Sequence, residues 1–143
     1  MSFERERGSA QQQGSDVYRE CKAFLAGLKN LKEAPAEKLI SYLDLMGNDL
    51  AKRVKIAQLR KVLDAFEKIR SATRLGKEKL NLREETQPLK IHLAYAAGRE
   101  RSLKPLQDVL QVAIDKVYDI DDFKKLAQFI EGLIAYHKFY GGE

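Results

Sequence analysis

Tryptophan is absent from this 143-residue sequence, and cysteine, histidine and proline are scarce, at one, two and three residues. Each scarcity excludes something. The lone Cys21 cannot form an intrachain disulfide and leaves no cysteine-based zinc site within one chain. His92 and His137 are too few, and too far apart in the sequence, for an HExxH-type metal pair. Glycine-rich phosphate loops, a serine nucleophile elbow and an inward-facing Glu-x-x-His pair are also missing. No catalytic residue, metal site or cofactor is therefore assigned. No apolar run approaches the ~20 residues that cross a bilayer, so a membrane partner is not expected. Residues 1–15 are charged and Gln-rich and have no apolar h-region, so a secretory signal is not expected and a reduced, cytoplasmic compartment is.

What the sequence has is charge and helical periodicity. Lys and Arg number 26 against 21 Asp and Glu, for a net charge of +5. The distribution is uneven: Lys52 to Lys104 holds fifteen basic and six acidic residues, and the remainder holds eleven and fifteen. A basic middle framed by acidic ends points to a polyanion partner for the middle. With 44% hydrophobic residues the chain is long enough to bury a core without disulfides.

Residues 1–14, with Gln11-Gln12-Gln13, lack periodicity and are expected to be a disordered tail. Residues 15–143 are expected to form a single domain, all-α, a compact bundle of five to six helices with one long central helix. Ser15 or Asp16 can cap the first helix, and Pro35 can open the second. Gly47-Asn48 reads as a stop and turn. The long helix then runs from about Leu50 to Arg74, with Leu59, Val62, Leu63, Phe66 and Ile69 on one stripe. Pro88 interrupts a segment that restarts with Thr86 as cap and ends near Gly98. Ser102 can cap a helix carrying Leu106, Val109, Leu110, Ala113 and Val117. An aspartate among Asp119, Asp121 and Asp122 opens the last helix, which Gly141-Gly142 ends.

Lys52, Arg53, Lys55, Arg60 and Lys61 sit at the start of the expected long helix, where the helix N-terminus adds partial positive charge. They are candidate phosphate contacts, or else a solvated basic face, with Lys55 snorkelling along the apolar stripe. Arg99, Arg101 and Lys104 form a second cluster beside Gly98, and Lys138 is a terminal candidate. Tyr95, Tyr136, His137 and Tyr140 read, in this order of preference, as a polar-tipped part of the core packed together, as a contact with a neighbouring subunit, or as base-stacking rings. Two further readings stay open at this point. The Gly47-Asn48 turn followed by a basic helix fits a helix-turn-helix DNA-binding regulator. A fold that joined His92 to His137 would make a ribonuclease-type acid–base pair.

Three stretches stand out together: Lys52-Arg53-Val54-Lys55-Ile56-Ala57-Gln58-Leu59-Arg60-Lys61, the LAYAAGR of residues 93–99, and the AYHKFYGG of residues 135–142. In this order, spacing and helical setting, from about residue 40 onward, the chain resembles the small helical subunit of type III-A CRISPR interference complexes, the second Csm protein. That resemblance implies a non-catalytic, RNA-binding subunit in antiviral defence. Several copies of such a subunit stack as an inner filament beside the backbone subunits, along the groove where guide RNA pairs with single-stranded target RNA. The implied partners are those RNAs, the backbone and large Csm subunits, and further copies of the chain. Target RNA cleavage belongs in that family to the backbone subunit, and nucleotide chemistry and DNA cleavage to the large subunit.

Overall fold

The computed structural model describes residues 16–76 and 80–143, and the tail expected over residues 1–14 lies outside them. Helix α1 spans 16–26. It is followed by α2 (Ala36–Arg53), α3 (Arg60–Arg74), α4 (Leu82–Thr86), α5 (Leu89–Arg99), α6 (Lys104–Asp115) and α7 (Ile120–Phe139). Short 3-10 turns lie at Leu31–Glu33, Ile56–Leu59 and Arg101–Leu103. Among the described residues there is no strand, so the chain is an all-α bundle, as the apolar spacing requires.

The organising element is α7, 20 residues or about 30 Å long. Phe123, Leu126, Phe129, Ile130 and Leu133 bury its faces. It packs most extensively on α2, and the contacts advance along both helices together. The 3-10 turn before α2 meets the start of α7 through Lys32 and Asp122. Leu43 then meets Gly132, and Gly47 meets Tyr136. The two helices therefore run parallel. Glycine makes the approach possible: a Cβ on Gly47 would lie 2.4 Å from that of Tyr136, and one on Gly132 would lie 2.5 Å from Leu43 Cδ1.

The start of α7 is fixed by a closed set of hydrogen bonds. Asp119 caps the helix by accepting from the Asp122 amide at 2.9 Å. The fully buried Asp122 carboxylate accepts from the amides of Lys32 at 2.8 Å and Tyr118 at 2.9 Å. A buried carboxylate is tolerable only when such donors replace water. Lys32 Nζ pairs with Asp119 at 2.5 Å on the outside. This pairing holds the Asp119 carboxyl below its ordinary range and the Lys32 ammonium above its own.

The remaining helices complete the core. Phe66 of α3 stacks on Phe123 at 5.2 Å, and Arg70 pairs with Glu131 across the same interface. Tyr18 of α1, 5% exposed, donates to Asp49 of α2 at 2.9 Å. Burial first, and Asp49 second, push the Tyr18 phenol well above its usual range.

Three expectations need correction. The long helix over residues 50–74 does not exist: Val54 and Lys55 are extended, with φ −133°, ψ 139° and φ −95°, ψ 142°, and they separate α2 from a 3-10 turn and α3. Gly47-Asn48 is neither stop nor turn but lies inside α2. Glycine serves there as a small residue for close packing, and the helix-turn-helix reading loses its turn. Thr86 does not cap a restart. It ends α4 with its hydroxyl donating to the Leu82 carbonyl at 2.7 Å, and Asn81 caps α4 instead. The stripe on α3 holds: Val62 and Phe66 are buried, and Leu59, Leu63 and Ile69 pack against the core.

Candidate nucleic-acid interface

The break after α2 sets the site. Gln58, in the 3-10 turn, uses both ends of its amide. Its Oε1 accepts from the Lys55 amide at 2.9 Å, and its Nε2 donates to Glu100 Oε2 at 3.1 Å. Glu100 in turn accepts from the Ser102 hydroxyl at 2.5 Å and from the Ser102 amide at 3.3 Å. These donors, Ser102 first and Gln58 last, hold the Glu100 carboxyl below its ordinary range. The turn before α3 is thereby fastened to the end of α5.

Between these elements lies a groove of about 590 Å³. Arg60, Lys61 and Asp64 of α3 form one wall, and His92, Tyr95 and Arg99 of α5 form the other. Residues 92, 95 and 99 fall on one helix face by their spacing of three and four. Tyr95 is 52% exposed. Lys61 Nζ stands 4.6 Å from its ring centroid and Arg99 Cζ stands 5.9 Å away, so one aromatic ring carries two cations.

Of the basic residues singled out in the sequence, Arg60, Lys61 and Arg99 share this groove, and Lys55 and Arg101 flank the Gln58–Glu100 clasp at its end. Among the described residues none of these five has a carboxylate ion-pair partner. Arg53 and Lys104 do: Arg53 Nε lies 3.0 Å from Asp49, and Lys104 Nζ lies 2.9 Å from Asp108. Lys104 also lines a different surface depression, with Tyr18, Arg19 and Lys22. Lys52 and Arg53 occupy the last turn of α2, and Lys138 the last turn of α7. The expected N-terminal positive charge at Lys52 and Arg53 is therefore reversed, because these cations face the carbonyl end of a helix. Lys55 is exposed and outside any α-helix, so it does not snorkel along the stripe.

The aromatic group expected around Tyr95 separates in two. Tyr136, His137 and Tyr140 belong to the end of α7. Tyr136 packs half-buried against Gly47, and the Tyr140 hydroxyl donates to Asp44. His137 is 2% exposed, and its Nε2 lies 2.6 Å from the Val54 carbonyl. Gly142 packs on the face of its ring, reached through Gly141 at φ 86°. His92 lines the α3–α5 groove and His137 an apolar crevice under the 3-10 turn, so the fold does not join the two histidines. Among the described residues no group of three or more His, Cys, Asp or Glu side chains is placed to hold a metal ion. None of the described helices is long and apolar enough to cross a membrane. The sequence alone missed Gln58, Asp64, His92 and Glu100 as parts of the groove. The spacing of His92 and Arg99 around Tyr95 would have found two positions of that wall.

Known proteins share this arrangement of sequence. The profile of the family described as Csm2 Type III-A matches residues 33–143. The "CRISPR system Cms protein Csm2" of Streptococcus thermophilus is 33% identical over 114 residues, covering 76% of this chain and 89% of that protein. The matched region takes in α2 to α7 and with them both walls of the groove, and the chain belongs to the Csm2 family of type III-A CRISPR systems.

Proposed function

We propose that the chain is a non-catalytic inner-filament subunit of a type III-A CRISPR effector complex. In this role it contacts guide RNA and single-stranded target RNA through the α3–α5 groove and stacks on neighbouring subunits. Family membership supports the coarser part, a small subunit working with other Csm proteins. The observation that carries the RNA reading is that Arg60, Lys61 and Arg99 line one groove, with Lys55 and Arg101 beside the Gln58–Glu100 clasp at its end, and that among the described residues none of the five has a carboxylate ion-pair partner. A subunit that serves any guide must bind backbone rather than base edges, and cations free to meet phosphates provide that. Base pairing reads the sequence, and the protein reads charge and shape.

The test is fluorescence anisotropy with unrelated single-stranded RNAs across a salt series. The expected result is comparable affinity for each sequence and a steep fall as salt rises. Binding indifferent to salt, or a strong preference for one duplex DNA sequence, would remove the proposal.

A further inference from the structure

Phosphate contact explains the cations of the groove but not the aromatic ring between them. Tyr95 is half exposed on a helix whose inward positions, Leu89, Leu93, Ala96 and Ala97, already fill the core. It adds nothing to that core. Among the described residues its hydroxyl has no hydrogen-bond partner. Apart from its cation–π contacts with Lys61 and Arg99, the ring has no packing partner in the core, and a base reaches its π-face by drawing those two flexible cations onto its own phosphates. Lys61 and Arg99 stand around the ring, and Arg60 lines the same groove. The Gln58–Glu100 clasp holds the two walls at a fixed separation.

We infer that Tyr95 is a stacking platform for one unpaired nucleobase of the bound RNA, with Lys61 and Arg99 meeting the phosphates beside that base. This rests on the RNA-binding reading above and adds a mode to it. Stacking tolerates any sequence because every base has a π-face, so it suits a surface that must accept any guide or target. It also selects for a strand with an unstacked base over a continuous duplex, whose bases are not available to an aromatic side chain.

The experiment uses the full chain and uridine 12-mers, each carrying one 2-aminopurine. Stacking of the probe base on Tyr95 quenches its fluorescence. The expected results are quenching on binding to the unsubstituted protein and to Tyr95→Phe, and no quenching with Tyr95→Ala. The alanine variant should retain salt-dependent binding about 5- to 150-fold weaker, the range set by ~1–3 kcal/mol for one stacked base. Circular dichroism melting should not distinguish the three proteins, because the ring lies outside the core. Tight binding without quenching would overturn the stacking inference and leave the electrostatic reading standing. Equal binding by Tyr95→Ala with weakened self-association in light scattering would assign the ring to a protein interface and overturn it too. Absence of any RNA binding by the unsubstituted protein would overturn both readings.

Discussion

The imidazole of His137, at the end of α7, donates its Nε2–H to the carbonyl of Val54, the residue at which α2 stops. A carbonyl can only accept, so the proton sits on Nε2. The contact ties the last turn of one parallel helix to the break after the other. His137→Ala leaves the buried carbonyl without a partner and opens a cavity under Gly142. A loss of about 2–4 kcal/mol in urea unfolding is expected. A change below about 0.5 kcal/mol, the range of ordinary surface substitutions, would show that water replaces the imidazole.

Two glycine substitutions should have opposite signs. Gly47→Ala forces a Cβ to within 2.4 Å of the Tyr136 Cβ, inside the α2–α7 interface. It should destabilise by about 1–3 kcal/mol, as overpacking does. A Cβ on Gly98, exposed on α5, meets nothing within 4 Å. Gly98→Ala should stabilise by about 0.5–1 kcal/mol, because helix formation then fixes a less flexible residue. Thermal unfolding of both variants side by side tests the pair.

Acid should weaken the start of α7. The Lys32 ammonium lowers the folded Asp119 carboxyl below its unfolded value. Its contribution is therefore present above the unfolded carboxylate pKa of about 4 and is lost as pH falls through the lower folded value. Urea midpoints recorded from pH 6 down to pH 2 should fall more for the parent protein than for Asp119→Asn. The asparagine retains a cap acceptor but cannot titrate. Equal slopes for the two proteins would show that this ion pair does not contribute.

The cations should not be equivalent in RNA binding. Lys61→Ala and Arg99→Ala each remove from the groove a group that has no carboxylate ion-pair partner among the described residues. Each should lower affinity and flatten the salt dependence, by about 0.7 in the logarithmic slope for every phosphate that is no longer neutralised. Arg53→Ala and Lys104→Ala remove groups already neutralised by Asp49 and Asp108, and their slopes should change less. Identical slopes for all four variants would mean that RNA binds elsewhere than in the groove.

Cys21 should be silent in the folded protein. It is fully buried, and burial pushes its thiol up to about 12. Only the thiolate reacts quickly with disulfide reagents. Colorimetric thiol titration should show no reaction in buffer and one equivalent in urea. Rapid labelling without denaturant would reveal frequent opening between α1 and the core.

Much of this fold was legible because apolar residues recur at helical spacing and the last helix carries its own acidic cap. Val62, Phe66, Leu126 and Leu133 fell on buried faces for that reason. The break at Val54-Lys55 was not legible, because no proline or glycine marks it. It is held by long-range contacts, the burial of Val54 and the His137 hydrogen bond. Gly47 was misread for the converse reason. Glycine signals a helix end locally, yet its missing side chain serves the approach of a helix some ninety residues away. In the groove, charge composition pointed to the basic side chains, and helix spacing could have placed His92 and Arg99 beside Tyr95. The meeting of Tyr95 with Lys61 needed the packing of α3 on α5.

The parallel pairing of α2 with α7 also bears on how the chain reaches its native state. Helices that are sequence neighbours can pair as soon as both exist, but these two are separated by all of α3 to α6. Closing so long a loop is entropically unfavourable, and its contacts form only after the intervening helices have collapsed. During synthesis, Leu39, Leu43 and Met46 thus wait without their final cover until α7 leaves the ribosome. The nascent chain passes through a stage in which that apolar face is open to chaperones and to other exposed apolar surfaces.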